Sequence, residues 1–243
     1  MRIATWNMER QARGPTFEEH YDHAIRDLAA DVTVITEPGP HFTLRYPKAV
    51  MSPNERSCTG DEESWIAVLG NGLQVLHAEE IPYRYLAVAA SKDISGRRIA
   101  IYGSVLPWNA GRSQAPDVYG TQPRTFNEVF DLALQEQIQN IETLQNEFGR
   151  HNVFWVGDFN HPLEGPLRGF SRHARTRIDE ALQTLGMTAF NRTSRHAKSG
   201  LCAIDLICGP STLDYGIVED SYPVAKGNPL SDHQAYVVDV VLS

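Results

Sequence analysis

Phe154–Pro162 reads FWVGDFNHP. An apolar run passes through Gly157 straight into Asp158, Phe159 and Asn160, so a strand ends on two small polar groups. Asx side chains close turns by bonding to nearby backbone, and that alone would account for Asp158 and Asn160. Four other segments of the chain also place polar groups at strand ends. TWNME carries Asn7 and Glu9, VITEP carries Glu37, AIDLI carries Asp205, and LSDHQ carries Asp232 and His233.

Taken singly, most of these residues have an ordinary explanation. Asn7 can form a turn, and Glu37 before Pro38-Gly39 can be a solvated strand end. Asp205 is different, because Ala203-Ile204 and Leu206-Ile207 flank it in an apolar strand. An unpaired carboxylate there would cost several kcal/mol, so it needs a histidine or a metal ion as partner. Asp232-His233, opening the last strand, supplies a candidate.

The rest of the chain has the organisation of one α/β domain spanning residues 1–243. RIATWNM reads as a strand, and Thr16–Ala30 as a helix with Thr16 as N-cap and Glu19 as its capping-box partner. Val32–Glu37 is a β-branched strand. Trp65–Gly70 and LQVLHA flank Asn71-Gly72, a hairpin signal, and a second turn at Asp93–Gly96 joins RYLAVAAS to RRIAIYGSVL. A long amphipathic helix lies within Gln122–Gly149 with Gly149 as its C-cap, and Thr176–Leu185 forms another, ended by Gly186. AIDLICG, DYGIVED and DHQAYVVDVVL complete the strands. The second half echoes the first, which predicts two packed sheets with helices outside.

With 42% apolar and 21% charged residues in 243, the composition is that of an ordinary globular protein. Three cysteines without a C-x-x-C pair argue against a disulfide framework or a four-cysteine zinc site. The absence of a signal-like core or long apolar run predicts no membrane span, and a reducing, cytoplasmic compartment is expected. A net charge of −8 argues against a general nucleic-acid coat. The charge is uneven, however: Gly165–Gly200 carries seven cations against Asp179 and Glu180, a segment of +5 that leaves −13 elsewhere. Scattered surface arginines explain most basic stretches; the sharper expectation is a rim that holds phosphate, with Arg172 and Arg175 as its bearers.

Together, and in this order, TWN, the glutamate after an apolar strand, GDFN, the strand aspartate and the terminal SDH resemble the endonuclease/exonuclease/phosphatase (DNase I-like) family over nearly the whole chain, from Trp6 to His233. The resemblance implies a four-layered α/β/β/α sandwich with the site at one end of two mixed sheets. It implies a phosphodiester hydrolase using Mg²⁺ or Mn²⁺, most simply a nuclease acting on DNA or RNA. Within it, Glu37 corresponds to the principal metal ligand, with Glu9 as a second carboxylate ligand and Asp232 supporting a metal or its waters. Asn7 assists metal and phosphate. Asp158 orients or deprotonates the attacking water, and Asn160 holds a phosphoryl oxygen. His233 donates to phosphate or acts in acid–base chemistry, with Asp205 fixing its tautomer. Which of Asp158 and His233 is the base stays open.

One departure stands out. Many members carry a histidine in the strand before the long helix, and here Val105 stands at that place. Tyr102, three residues away, falls on the other face by strand alternation. Metal-bound water, Arg112 or Arg124 are the substitutes considered. Trp108, in a loop after Pro107, is the one tryptophan considered for substrate contact, whereas Trp155 reads as core. His161 reads as a turn residue, and His20, His23 and Asp27 as helix surface rather than a metal site. A phosphatase or phosphodiesterase for a small-molecule or lipid-headgroup phosphate ester, and a noncatalytic phosphate-binding module, are the competing functions.

Overall fold

The computed structural model describes residues 1–9, 15–39, 42, 46, 48–52, 55–56, 62–76, 87–108, 125–198, 200–221, 223–225 and 228–242. Among the described residues, twelve strands form two six-stranded sheets. They are β1 (Arg2–Asn7), β2 (Val32–Thr36), β3 (Val50–Met51), β4 (Ile66–Leu69), β5 (Gln74–Val75), β6 (Ala87–Ile94), β7 (Arg97–Val105), β8 (Val153–Asp158), β9 (Met187–Ala189), β10 (Asp205–Pro210), β11 (Tyr215–Ser221) and β12 (Ala235–Val240). The first sheet runs β11-β12-β1-β2-β4-β3 and the second β9-β10-β8-β7-β6-β5. Each is mixed: β1 and β2 are parallel, as are β7 and β8, and the other pairings are antiparallel.

Among the described residues, three helices flank the sheets: α1 (Pro15–Asp27), α2 (Phe126–Phe148) and α3 (Arg172–Leu185). Tyr21, Ile25 and Leu28 cluster with Ala4, Trp6, Ile35 and Val237, which places α1 on the outer face of the first sheet. Alternate residues of the same strands, Ile3, Val32, Val34 and Val238, enter the second core cluster with Ile101, Phe154 and the apolar faces of α2 and α3. The order is therefore helix, sheet, sheet, helices, the four-layered sandwich that the family resemblance implies. The sheets meet closely at Gly103 of β7. A Cβ there would lie 2.9 Å from Ile66 Cγ2 and 3.3 Å from Val34 Cγ1, both on the facing sheet.

Three details differ from the sequence-based expectation. Helix α1 begins at Pro15, so Thr16 lies inside the first turn; proline's fixed φ suits that opening position. Helix α3 begins at Arg172, capped by the Ser171 side chain on Ala174 N, four residues before the expected start. The Asn71-Gly72 turn closes no hairpin. Strand β4 lies between β2 and β3 with both edges taken, so β5 pairs with β6 in the other sheet, and this turn carries the chain across. By contrast, Ser95-Gly96 does close a two-residue hairpin, with both residues at positive φ.

The long helix α2 carries a full capping box. Thr125 Oγ1 accepts from Glu128 N, and the Glu128 carboxylate accepts from Thr125 N at 2.7 Å. Replacing Thr125 with Ala should cost about 1 kcal/mol in urea unfolding. Gly103→Val should cost about 3 kcal/mol or prevent folding, because the added methyls have only the facing sheet to enter; a cost below that of Thr125→Ala would show that the sheets can part at Gly103.

Candidate active site

The site lies where β1, β2, β8 and β10 end or begin at one edge of the two sheets. Asn7 is the last residue of β1, Glu37 follows β2, Asp158 ends β8 and Asp205 opens β10. Because β8 and β10 are antiparallel, Asp158 and Asp205 are direct cross-strand partners. Like charges in that relation repel. Both are buried, at 2% and 0% exposure, so water does little to relieve the repulsion.

The His233 imidazole meets this pair. His233 Nδ1 stands 2.7 Å from Asp205 Oδ2, and ligating atoms of Asp158, Asp205 and His233 all lie within 4.8 Å of one another. Burial alone would lower the His233 pKa. The Asp205 carboxylate, through charge and hydrogen bond, reverses that with help from Asp158 and Asp232, so the ring is held well above the ordinary histidine value. Asp158 is pushed up, first by desolvation and then by Asp205, against the opposing pull of His233 and the Asn160 N–H. Its oxygens are oriented from two sides: Asn160 N donates to Oδ1 at 2.7 Å and Asn7 Nδ2 donates to Oδ2 at 3.0 Å.

Asn7 links Glu37 and Glu9 to this centre. Its Nδ2 also lies 3.4 Å from Glu37 Oε1, while its Oδ1 accepts from Glu9 N at 2.8 Å. Glu9 Oε2 in turn accepts from Asp232 N at 3.3 Å. Asp232 Oδ1 is 3.4 Å from His233 Nε2, and its Oδ2 is 2.8 Å from Lys198 Nζ. Burial opposes the ionisation of Asp232, but the Lys198 hydrogen bond and the charge of His233 hold its pKa below the usual value. Ser231 ties the last loop to the first strand: its Oγ donates to Asn7 O at 2.7 Å and accepts from His233 N at 3.1 Å.

The backbone around the site is unusual in the same places. Glu9, Glu37 and Asn160 have φ of 51°, 50° and 56°, in the left-handed region that side chains other than glycine seldom adopt. Each is fixed by long-range bonds. Glu37 N donates to Trp65 O, Met8 N to Thr36 O, and Asn160 Nδ2 to Leu106 O, all at 2.9 Å. Gly157, at φ 146°, precedes Asp158 where a Cβ would stand 2.0 Å from Ser104 O, so no other residue fits there.

The remaining sequence-selected residues lie elsewhere or play other parts. Arg175 donates to the carbonyls of Pro162, Glu164 and Gly165. Arg172 is exposed at the start of α3. Trp108 is half-buried, its ring 5.7 Å from that of Trp65. Arg112 and Arg124 lie outside the described residues. Val105 is buried beside Asp158 in strand register, and the Tyr102 hydroxyl accepts from Asn140 of α2 at 3.1 Å, on the side away from the site. His161 lies in the bend after β8, 1% exposed among the rings of Phe126, Phe130 and Phe170, and burial lowers its pKa to about 4. His23 and Asp27 form an exposed pair 3.6 Å apart.

Two residues with a place at the site escape the sequence reading. Lys198 is paired to Asp232, and His196 is buried with its ring centroid 5.4 Å from that of His233. Both lie seven to nine residues before Asp205, in a stretch whose sequence announces only positive charge.

The donors present suit a hard cation. Carboxylate oxygens dominate, two of the acids are buried against each other, and Asp205 Oδ1 is buried without a hydrogen-bond partner among the described residues.

No family model and no curated protein sequence matches the chain. Solved structures do resemble it. The endonuclease domain of TRAS1, a telomere-specific non-LTR retrotransposon, superposes with a TM-score of 0.62, covering 100% of this chain and 99% of its own at 16% identity. The human Nocturnin catalytic domain with bound sulfate gives 0.63 over 99% and 94% of the two chains at 15% identity. An endonuclease/exonuclease/phosphatase family protein from Leptotrichia buccalis C-1013-b gives 0.58 over 100% of both at 14% identity. The chain has the DNase I-like fold of those proteins.

The raised pKa of Asp158 has a definite sign. Its neutral form contributes stability that is fully present below the unfolded carboxylate value, about 3.9, and is lost as pH rises through the folded one. Asp158→Asn should therefore melt above the wild type in chelator at about pH 7.5, with the gap closing near pH 4. Equal melting temperatures at both pH values would show that the two carboxylates do not oppose each other.

Proposed function

We propose that this protein is a divalent-cation-dependent phosphodiester hydrolase, most simply a nuclease, using Mg²⁺ or Mn²⁺. The observation that carries the reading is the meeting of Asp158, Asp205 and His233 within 4.8 Å, bridged through Asn7 to Glu37. The fold shared with an endonuclease domain supports it.

Glu37 would hold the cation, with Glu9 and Asp232 close by. The bound ion would neutralise phosphoryl oxygens and make a water more acidic. The chain's own residues divide the remaining work. Asp158 takes the proton of the attacking water, with Asn7 and Asn160 fixing the orientation of its carboxylate. His233 keeps its proton because Asp205 stands behind Nδ1, so Nε2–H donates to a phosphoryl oxygen as charge develops there. The Asn160 side chain, held on Leu106 O, keeps the turn after β8 in place beside the phosphate.

A second reading, hydrolysis of a small phosphate ester, draws on the state of the basic segment. Arg175 is bound to backbone carbonyls, Arg177 to Asp131 and Glu180, and Arg192 to Glu164 and Asp179. With Lys198 on Asp232, four of the seven cations are engaged within the protein rather than free to follow a long phosphate backbone.

A substrate panel separates the two. Supercoiled DNA, single-stranded DNA, RNA and phosphomonoesters are incubated with Mg²⁺ or Mn²⁺ and with chelator. Chelator-sensitive cleavage of polynucleotide, reduced at least about 100-fold in kcat by Asp158→Ala or His233→Ala, is the expected result. Phosphate release from monoesters alone supports the second reading, and inactivity on every substrate contradicts both. Arg175→Ala should lower stability without flattening the salt dependence of substrate binding, since its guanidinium serves the 162–165 turn.

A further inference from the structure

His233 is held closely at one ring nitrogen, Nδ1, 2.7 Å from Asp205, while Nε2 has only a longer contact, 3.4 Å from Asp232 Oδ1. The Nδ1 bond fixes the tautomer, and the plane of the ring depends also on what packs against it. What lies beside the ring therefore decides where Nε2 points. His196 lies there, 5% exposed, with its ring at 67° to that of His233 and the centroids 5.4 Å apart.

The segment carrying His196 is built to hold it. Ala203 N donates to Ser194 O at 2.9 Å and His196 N to Leu201 O at 3.1 Å, which closes a narrow hairpin. The Tyr236 hydroxyl of β12 donates to Arg195 O at 2.8 Å, anchoring that hairpin to the first sheet. Inside the turn, Lys198 N donates to His196 Nδ1 at 2.9 Å. The His196 proton is therefore on Nε2, and this atom is buried with no hydrogen-bond partner among the described residues. A buried unsatisfied donor in a native core calls for a reason. Satisfying the loop through Nδ1 while presenting an aromatic ring to His233 supplies one.

We propose that His196 is a positioning residue, whose ring walls the His233 imidazole and keeps its Nε2 aligned with the substrate phosphate. The alignment with substrate rests on the hydrolase reading above; the wall itself does not. Misplacing a catalytic group by about 1 Å costs on the order of 100-fold in rate, so the effect belongs in kcat.

Three variants separate ring from hydrogen bond. His196→Ala removes both, His196→Gln keeps an acceptor for Lys198 N without a ring, and His196→Phe keeps a ring without the acceptor. With a phosphodiester substrate and Mn²⁺, Ala and Gln should lose about 10- to 100-fold in kcat with KM little changed, and Phe should recover most of the loss. A purely structural role for the loop would instead make Phe as poor as Ala. The second arm needs no turnover. In metal-free protein, the His233 Nδ1–H proton resonance should stay sharp and slowly exchanging in the wild type and the Phe variant, and broaden in Gln and Ala. If Ala does not fold, the Gln and Phe pair decides. A sharp His233 resonance in every variant overturns the proposal even if the enzyme is active. A wild type that hydrolyses no phosphodiester overturns the hydrolase reading and leaves the resonance to decide the role of His196.

Discussion

Two carboxylates that water cannot reach face each other across a strand pair. Asp158 and Asp205 are forced together by the antiparallel register of β8 and β10, and the core packing that buries those strands gives them no room to separate. Ionised together and unaided, they would cost the fold several kcal/mol. The surrounding groups can be understood as responses to that constraint. His233 brings a proton to Asp205, Asn7 and Asn160 bring N–H groups to Asp158, and the excess of negative charge that remains favours a cation. Stability is given up where the fold holds these two acids together.

Holding that arrangement requires both sheets. Asn7 and Glu37 come from the first, Asp158 and Asp205 from the second, and the bond from Asn7 Nδ2 to Asp158 Oδ2 crosses between them. The crossing depends on close approach, which Gly103 permits lower in the sandwich. The last loop is fastened to β1 through Ser231, so His233 moves with the strand that carries Asn7. The left-handed backbone at Glu9, Glu37 and Asn160 is strain that these bonds hold in place, as at other sites where geometry outranks local preference.

The sequence made much of this legible, and the limits have physical causes. An aspartate inside an apolar strand had to have a partner, and the nearest histidine downstream in a strand-opening position is the one the structure supplies. Alternation correctly sent Tyr102 to the α2 side. The Asn71-Gly72 turn misled because turn chemistry specifies a reversal, not which sheet the next strand joins; that is set by which edges are already taken. The basic segment shows a different limit. A count of cations is blind to pairing, and Arg175, Arg177 and Arg192 are each engaged within the protein. His196 was invisible because its place depends on a hairpin held by Tyr236, about forty residues on, which no local pattern encodes.

The account as a whole rests on a cation being drawn to the carboxylates around His233. Diffraction from crystals grown with Mn²⁺, recorded at the manganese absorption edge, tests it most directly. The result predicted is an anomalous peak in contact with the Glu37 carboxylate, with the Asp205–His233 bond intact. Manganese bound only elsewhere, or a His233 ring turned away from Asp205, would contradict it.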